Sequence, residues 1–227
     1  MYYSVLGDSI STFYGYVPEN YAVFYTLEAA MYNGLTSIED VWWHQVMNYL
    51  GAELLVDAAY SGGRVSGNEF PAANTYERIR ALRTPQHEPD GILVYLGYND
   101  YGYSVPIRNE NDETDCTCFY NAYILMLNRL KECYPNALII CSTLMPTYIT
   151  FRQDWKMPMV NKAGIHFNMY NEAIREVCRK CGVELADIAV ANILCDSLDG
   201  AHGTQKGHRE LAEAWINCLN QCQRSSI

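Results

Sequence analysis

Short, almost continuously apolar segments alternate along this chain with longer segments in which apolar residues recur at helical spacing. The short segments are rich in Val, Ile, Leu and Tyr, which is typical of strands that are covered on both faces of a parallel sheet. The predicted strands are Tyr2–Leu6, Leu54–Ala58, Ile92–Leu96, Ala137–Ser142 and Val183–Ile188. This pattern therefore predicts a five-stranded parallel sheet inside the molecule.

The segments between these strands carry helix start and stop signals. Ser37 and Asp40 resemble a capping box ahead of an apolar helix face, and Gly51 ends that helix. Similar signals predict four further helices, over about Asn74–Arg83, Asp115–Tyr134, Asn168–Cys181 and Lys206–Cys222. Alternation of strands and helices is typical of a doubly wound sheet. We expect an α/β fold of one domain over residues 1–227, a three-layer α/β/α sandwich of the flavodoxin-like type.

Three long stretches lack a regular pattern: Ser11–Thr36, Gly102–Glu113 and Met145–His166. Loops of this length in a compact domain usually carry function or line a site.

The charge and the hydrophobicity of the chain argue against two classes of binding partner. The chain has 16 basic and 26 acidic residues and a formal net charge of −10, so binding to a phosphate backbone has little electrostatic support. No apolar run approaches the roughly 18–20 residues that span a bilayer. We predict no nucleic acid and no membrane as partners.

The nine cysteines form no disulfide framework. Cys178 with Cys181 and Cys218 with Cys222 share helix faces, but a zinc site needs a matching second pair, so no metal is predicted. The first residues lack a basic segment followed by a long apolar one. Thiols in a reducing compartment fit these features, and the predicted location is cytoplasmic.

Polar segments follow the predicted strands at the edge where open α/β sheets bind ligands. These segments are Gly7-Asp8-Ser9, the turn at Gly62, Gly97-Tyr98-Asn99-Asp100, and Asp199-Gly200-Ala201-His202. Each of them alone is also compatible with an ordinary turn, and His202 with a surface residue beside the last helix. Their common edge makes a joint role the stronger hypothesis.

Taken together, the four segments resemble the sequence blocks of the SGNH (GDSL-type) hydrolases, in the order found in that family. The resemblance spans nearly the whole chain. It implies the SGNH hydrolase fold, carboxylic ester hydrolysis through an acyl-enzyme, no cofactor, and a small-molecule ester as the substrate.

The residues have a direct chemical interpretation as well. A serine hydroxyl becomes an effective nucleophile when a base accepts its proton, and a histidine is the side chain best suited to that near neutral pH. Ser9 and His202 fit these two roles. Asp199 lies three residues before His202 and can accept the other ring N–H, which fixes the imidazole tautomer.

The resemblance also implies an oxyanion hole. Its donors would be the backbone N–H groups of Ser9 and Gly62 and the side-chain amide of Asn99. The chain departs from the common family pattern at Asp57, where many members have Asn, and at Gly203, where Pro is frequent.

Tyr98 would crowd a long acyl chain, and the adjacent Trp42 and Trp43 are candidates for a flat sugar-binding face. The sequence therefore predicts a short-acyl esterase, acetyl preferred, that acts on an acetylated carbohydrate or a similar polar ester. A thioesterase or a lysophospholipase with the same machinery is an alternative. A catalytically silent carbohydrate-binding protein is another, although a binding protein has no use for an imidazole oriented by a carboxylate.

Overall fold

In the computed structural model, which describes residues 1–225 without the side chains of residue 153 and residues 222–225, five parallel strands form the main sheet. They are β1 Tyr2–Gly7, β2 Glu53–Asp57, β3 Gly91–Tyr95, β4 Leu138–Ser142 and β7 Glu184–Ala186. The strand order is β2-β1-β3-β4-β7. The predicted flavodoxin-like sheet is confirmed.

The register of the central strands positions the candidate site. β1 pairs with β3 from Tyr3 opposite Gly91 to Gly7 opposite Tyr95. Both strands therefore end at the same level of the sheet, and the segments that follow them begin at one edge.

Seven α-helices surround or flank the sheet in the described part of the chain. They are α1 Leu27–Asn33, α2 Trp42–Leu50, α3 Tyr76–Arg80, α4 Tyr98–Gly102, α5 Phe119–Cys133, α6 Phe167–Cys181 and α7 Gln205–Ser225. Helices α2 and α7 pack together, and α5 packs against both α3 and α6. The sheet lies between these two groups, which gives the three layers. No helix of residues 1–225 is both long and apolar enough to cross a bilayer.

The helix predicted after Ser37 is divided in two. Ser37 does form a capping box, but it starts only a short 3₁₀ turn, Ile38–Asp40. Val41 is then extended, and the backbone N–H of Trp42 donates to Nδ1 of His208 at 3.1 Å. A tertiary hydrogen bond thus replaces the helical bond that would have continued the first turn.

A second, smaller sheet was not predicted. It consists of β5 Thr147–Ile149, β6 Arg152–Lys156 and β8 Cys195–Ser197, in the order β6-β5-β8. Two of these strands lie in the stretch 145–166, for which no regular structure was expected. β8 runs directly into the loop of Asp199 and His202, so this sheet positions half of the candidate site.

Candidate active site

Ser9 lies in a tight turn directly after β1. The carbonyl of Asp8 accepts a hydrogen bond from Ser11 N at 3.0 Å, and Oδ1 of Asp8 accepts one from Ile10 N at 3.0 Å. The Ser9 hydroxyl reaches Nε2 of His202 at 2.9 Å. The turn therefore aims the hydroxyl away from the sheet and towards the last loop of the chain.

The loop between β8 and α7 holds Asp199 against His202. Oδ2 of Asp199 lies 2.7 Å from Nδ1 of His202, while Oδ1 accepts from the backbone N–H groups of Ala201 and His202 at 3.0 and 2.8 Å. Both carboxylate oxygens thus orient the imidazole and its backbone. With Nδ1 donating to Asp199, Nε2 is free to accept from Ser9.

Gly200 allows this loop to turn. Its φ is 94°, in the left-handed region that favours glycine, and a Cβ there would collide with the ring of Trp155. Thr147 Oγ1 also donates to the Gly200 carbonyl at 2.5 Å. Residues of the small sheet thus contact this loop and hold it in place.

Two carboxyl groups near Ser9 and His202 have shifted pKa values in opposite directions. Burial opposes ionisation of Asp199, but hydrogen bonds from the His202 side chain and backbone outweigh it and lower its pKa to about 2. Complete burial raises the pKa of Asp8 to about 7, against its hydrogen bond from Ile10. The carboxylate that faces the imidazole is therefore charged at neutral pH.

The turn at Gly62 is tied to the end of β1. Tyr60 N donates to the Gly7 carbonyl at 3.1 Å, and Gly63 N donates to the Tyr60 carbonyl at 2.9 Å. Gly62 has a φ of 78°, and a Cβ on it would meet nothing within 4 Å. Backbone conformation, rather than crowding, is therefore the reason for glycine at this position.

Three N–H donors lie on the segments around Ser9. Among the hydrogen bonds of the described residues, none uses the backbone N–H of Ser9 or of Gly62. Asn99 Nδ2 donates one N–H to the Gly63 carbonyl at 2.9 Å, which fixes the amide beside the Gly62 turn. The second N–H of the same amide remains available to donate to a ligand. The structure thus brings the side chain of Asn99 to the turn that carries Gly62.

Asp100 and Arg78 hold these segments together. Asp100 was expected in a candidate segment but without this role, and Arg78 was not predicted to take part. The carboxylate of Asp100 accepts from the backbone N–H groups of Val65 and Ser66 at 2.8 and 3.0 Å. The completely buried guanidinium of Arg78 donates to the Gly7 carbonyl at 2.9 Å. Nothing in the sequence distinguishes this buried arginine from the exposed ones nearby.

Arg78 joins further segments and stays charged despite its burial. It also donates to the carbonyls of Ala58 and Pro71, at 2.9 and 2.6 Å. Burial lowers its pKa to about 10, a value that still leaves the guanidinium protonated at neutral pH.

Phe24 contacts the imidazole and was also missed. Its ring is stacked on that of His202, and its backbone N–H donates to Thr12 Oγ1 at 3.0 Å. Thr12 Oγ1 in turn donates to the Ser9 carbonyl at 2.9 Å. The loop after β1 thus contacts both Ser9 and His202.

The prediction that Trp42 and Trp43 offer a face to a substrate is wrong. Both side chains are 0% exposed, and their ring N–H groups donate to Oγ and to the carbonyl of Ser11, respectively. Trp42 stacks on Trp215 of α7, so the helix packs these rings inward.

Tyr98 is also buried, but it lies nearer to the candidate site. It lines a cavity of about 10 Å³ together with Ile10 and Ala201, the neighbours of Ser9 and His202 in sequence. Its hydroxyl donates to the Met145 carbonyl at 3.1 Å.

Other acidic residues near the end of the chain have different partners. Asp187 forms an ion pair with Arg175 at 2.8 Å, and Asp196 accepts from Thr204 Oγ1 at 2.6 Å. Within the described residues, no group of three or more His, Cys, Asp or Glu side chains is arranged to hold a metal ion.

A family profile described as GDSL-like Lipase/Acylhydrolase matches residues 1–150. The matched region includes Ser9, Gly62 and Asn99 and ends before Asp199 and His202. No curated protein matches the chain.

Solved structures share the fold over nearly the whole chain. A Bacteroides uniformis protein named as GDSL-like lipase has a TM-score of 0.72 and 25% identity, covering 97% of this chain and 95% of its own. Est24, a carbohydrate acetylesterase from Sinorhizobium meliloti, has a TM-score of 0.63 and 15% identity, covering 97% and 99%. The aryl esterase of M. smegmatis has a TM-score of 0.61 and 15% identity, covering 97% and 98%.

Proposed function

The chain belongs to the GDSL-like lipase/acylhydrolase family, and from that membership we propose that it is a serine hydrolase of short-acyl esters. Ser9 is the nucleophile, His202 the general base and acid, and Asp199 the residue that orients the imidazole. The observation that carries this proposal is the continuous chain of contacts from Ser9 Oγ to His202 Nε2 at 2.9 Å and from His202 Nδ1 to Asp199 at 2.7 Å.

In the first half of the reaction, Ser9 Oγ attacks the ester carbonyl and transfers its proton to Nε2 of His202. The resulting imidazolium is stabilised by the charged carboxylate of Asp199. The tetrahedral intermediate then collapses, the bond to the alcohol breaks, and the alcohol leaves with the proton of His202. The acyl group stays on Ser9.

In the second half, His202 accepts a proton from water, and the hydroxide attacks the acyl-enzyme. Collapse releases the carboxylic acid and returns the proton to Ser9. Both tetrahedral intermediates carry an oxyanion, for which the N–H groups of Ser9 and Gly62 and the second N–H of Asn99 are the donors.

Two observations support a small acyl group. Tyr98, the neighbour of Asn99 in sequence, is buried, and the cavity that it lines has a volume of only about 10 Å³, with Ile10 and Ala201 in its wall but not Ser9 or His202 themselves; this volume is close to the size of one water molecule. The structurally similar Est24 is by name a carbohydrate acetylesterase. Acetyl esters of carbohydrates or of similar polar alcohols are thus the proposed substrates.

The test is a series of p-nitrophenyl esters from acetyl through butyryl to octanoyl. We expect kcat/KM to fall steadily along the series, and Ser9→Ala to abolish both turnover and labelling by a fluorophosphonate. Ser61→Ala is a matched control, since Ser61 follows β2 rather than β1 and should leave labelling intact. A maximum at octanoyl would identify a lipase or lysophospholipase instead, and equal labelling of the wild type and Ser9→Ala would exclude Ser9 as the nucleophile.

A further inference from the structure

An open cleft of about 580 Å³ lies next to the Gly62 turn. Gly62 itself lines the cleft, so the cleft borders one of the proposed oxyanion-hole donors. Its other walls come from the loop that follows Gly62 and from Tyr103 at the end of α4. This volume is within the range of small-molecule binding sites.

Arg64 is the basic side chain in this cleft. Its guanidinium lies over the ring of Tyr103, 5.3 Å from the centroid. Among the described side chains, no carboxylate lies within ion-pair distance of Arg64, Glu69 of the same cleft included. The nearby buried Asp100 uses both carboxylate oxygens on backbone N–H groups, so Arg64 has its hydrogen-bond donors available for a ligand.

Aromatic rings line the same cleft. Tyr103 is 70% exposed, and Phe70 packs edge-on against Tyr21 and Tyr60, with centroids 5.6 and 5.1 Å apart. The exposed ring of Tyr103 and the half-buried ring of Phe70, beside planar polar groups such as those of Asn68 and Glu69, suit the apolar faces and the hydroxyl groups of a sugar ring. The aromatic face predicted at Trp42 and Trp43 is buried, whereas Tyr103 in this cleft is exposed.

The wall that carries Arg64 is held in place without a ligand. Its carbonyl accepts from Ala73 N at 2.8 Å, and Asn74 Nδ2 donates to the carbonyls of Val65 and Gly67, both at 2.7 Å. The loop is further tied to α4 through Asp100. A wall that is already ordered loses little conformational entropy on binding.

We propose that this cleft binds the alcohol portion of the substrate and that Arg64 selects an alcohol that carries a carboxylate. The inference rests on the proposed esterase function and adds the substrate class to it. A guanidinium can bind a carboxylate with two parallel hydrogen bonds, which a neutral substituent cannot match. In a protein with a net charge of −10, an acidic substrate would otherwise be repelled.

The test compares kcat/KM on two pairs of acetyl esters. One pair is acetylated methyl glucuronide and acetylated methyl glucoside, and the other is O-acetyl-lactate and O-acetyl-lactamide. We expect the wild type to prefer the charged member, and Arg64→Gln to reduce that preference about 10–100-fold, with Arg64→Lys between them. Arg83→Gln is the matched control, because Arg83 is an exposed arginine paired with Glu88 at 3.5 Å and should keep the wild-type preference.

The outcomes separate this inference from the proposed function. A preference in the sugar pair alone identifies a sugar acid, and a preference in both pairs identifies a simple carboxylate. An unchanged preference in Arg64→Gln, or no preference in either pair, overturns the inference. If p-nitrophenyl acetate is not hydrolysed, the esterase function fails. In that case, calorimetry of methyl glucuronide and methyl glucoside binding, to the wild type and to Arg64→Gln, tests the role of Arg64 in the cleft without any catalysis. Tighter binding of the glucuronide by the wild type alone supports that role, and equal binding in both proteins overturns it.

Discussion

The phenyl ring of Phe24 lies flat on the imidazole of His202, with the ring centroids 3.3 Å apart and the planes 7° from parallel. A ring in this position restricts rotation of the imidazole and excludes water from one of its faces. Because Asp199 holds the edge of the same imidazole through Nδ1, the His202 ring is constrained from two directions.

Phe24→Leu should therefore lower kcat about 10-fold or more, with a smaller change in KM, since the imidazole is no longer held in the productive orientation. The rate of inactivation by a fluorophosphonate should fall in parallel, because it uses the same base. Phe151→Leu, at a side chain that is 73% exposed on another loop, is the control. If both variants behave alike, the stacking has no role in catalysis.

Asp199→Asn should lower kcat by about 10⁴-fold, less than Ser9→Ala, because an amide can no longer stabilise the imidazolium. Since its pKa is about 2, Asp199 stays charged at any pH used for assay. Ionisation of Asp199 should therefore contribute no step to the pH profile of kcat/KM. Asp187→Asn is the matched variant, since it breaks the pair with Arg175 and should reduce stability while leaving kcat unchanged. The reverse pattern would contradict the pairing of Asp199 with His202.

Asn99→Ala should lower kcat about 10²–10³-fold with little change in KM, because the lost N–H acts on the developing oxyanion. The variant also loses the hydrogen bond to the Gly63 carbonyl. The thermal stability of the variant is therefore measured as well, so that a loss of folded protein is not mistaken for a loss of kcat. An effect confined to KM would show that Asn99 binds the ground-state ester.

Asp8→Asn should change how stability depends on pH. Burial raises the pKa of Asp8 to about 7 from its ordinary 3.8, so the native state binds this proton more tightly than the unfolded chain. That contribution, up to about 4 kcal/mol, is fully present below pH 4 and is lost as pH rises to about 7. Urea denaturation from pH 4.5 to 8 should show a steeper fall in the free energy of unfolding for the wild type than for Asp8→Asn. Asp57 and Asp100, whose pKa values burial also raises, are unchanged in the variant, so equal slopes would refute the assignment to Asp8.

The main sheet was predictable because each of its strands is a short apolar run, and because apolar runs alternate with helices. Its edge was predictable for the same reason, since Ser9 follows β1 and the Asn99 segment follows β3. His202 reaches Ser9 as expected, but it follows β8 of the small sheet rather than a strand of the main one. The small sheet was not, because β5 and β8 are three residues long and pair across almost fifty positions of sequence. No local pattern encodes such a pairing.

The residues that hold the site together could not be recognised from the sequence pattern. Arg78 lies on a helix with the exposed Arg80, and only tertiary packing buries one and exposes the other. At Trp42 and Trp43 the prediction was wrong in the other direction, because residues expected at the surface are buried. Adjacent tryptophans suggested an exposed platform, yet the contact of α2 with α7 and the turn after Ser9 bury both rings.

The proposed nucleophile Ser9 and its proposed base His202 are 193 positions apart in sequence, although their atoms lie within hydrogen-bond distance in the folded chain. A ribosome that adds 5–20 residues per second needs roughly 10–40 s between the two. Throughout that interval the nascent chain contains Ser9 but not the histidine that contacts its hydroxyl in the folded chain. With Ser9 and His202 in the roles proposed above, hydrolysis of an ester at Ser9 would report that synthesis has passed His202 and that the chain has folded around it.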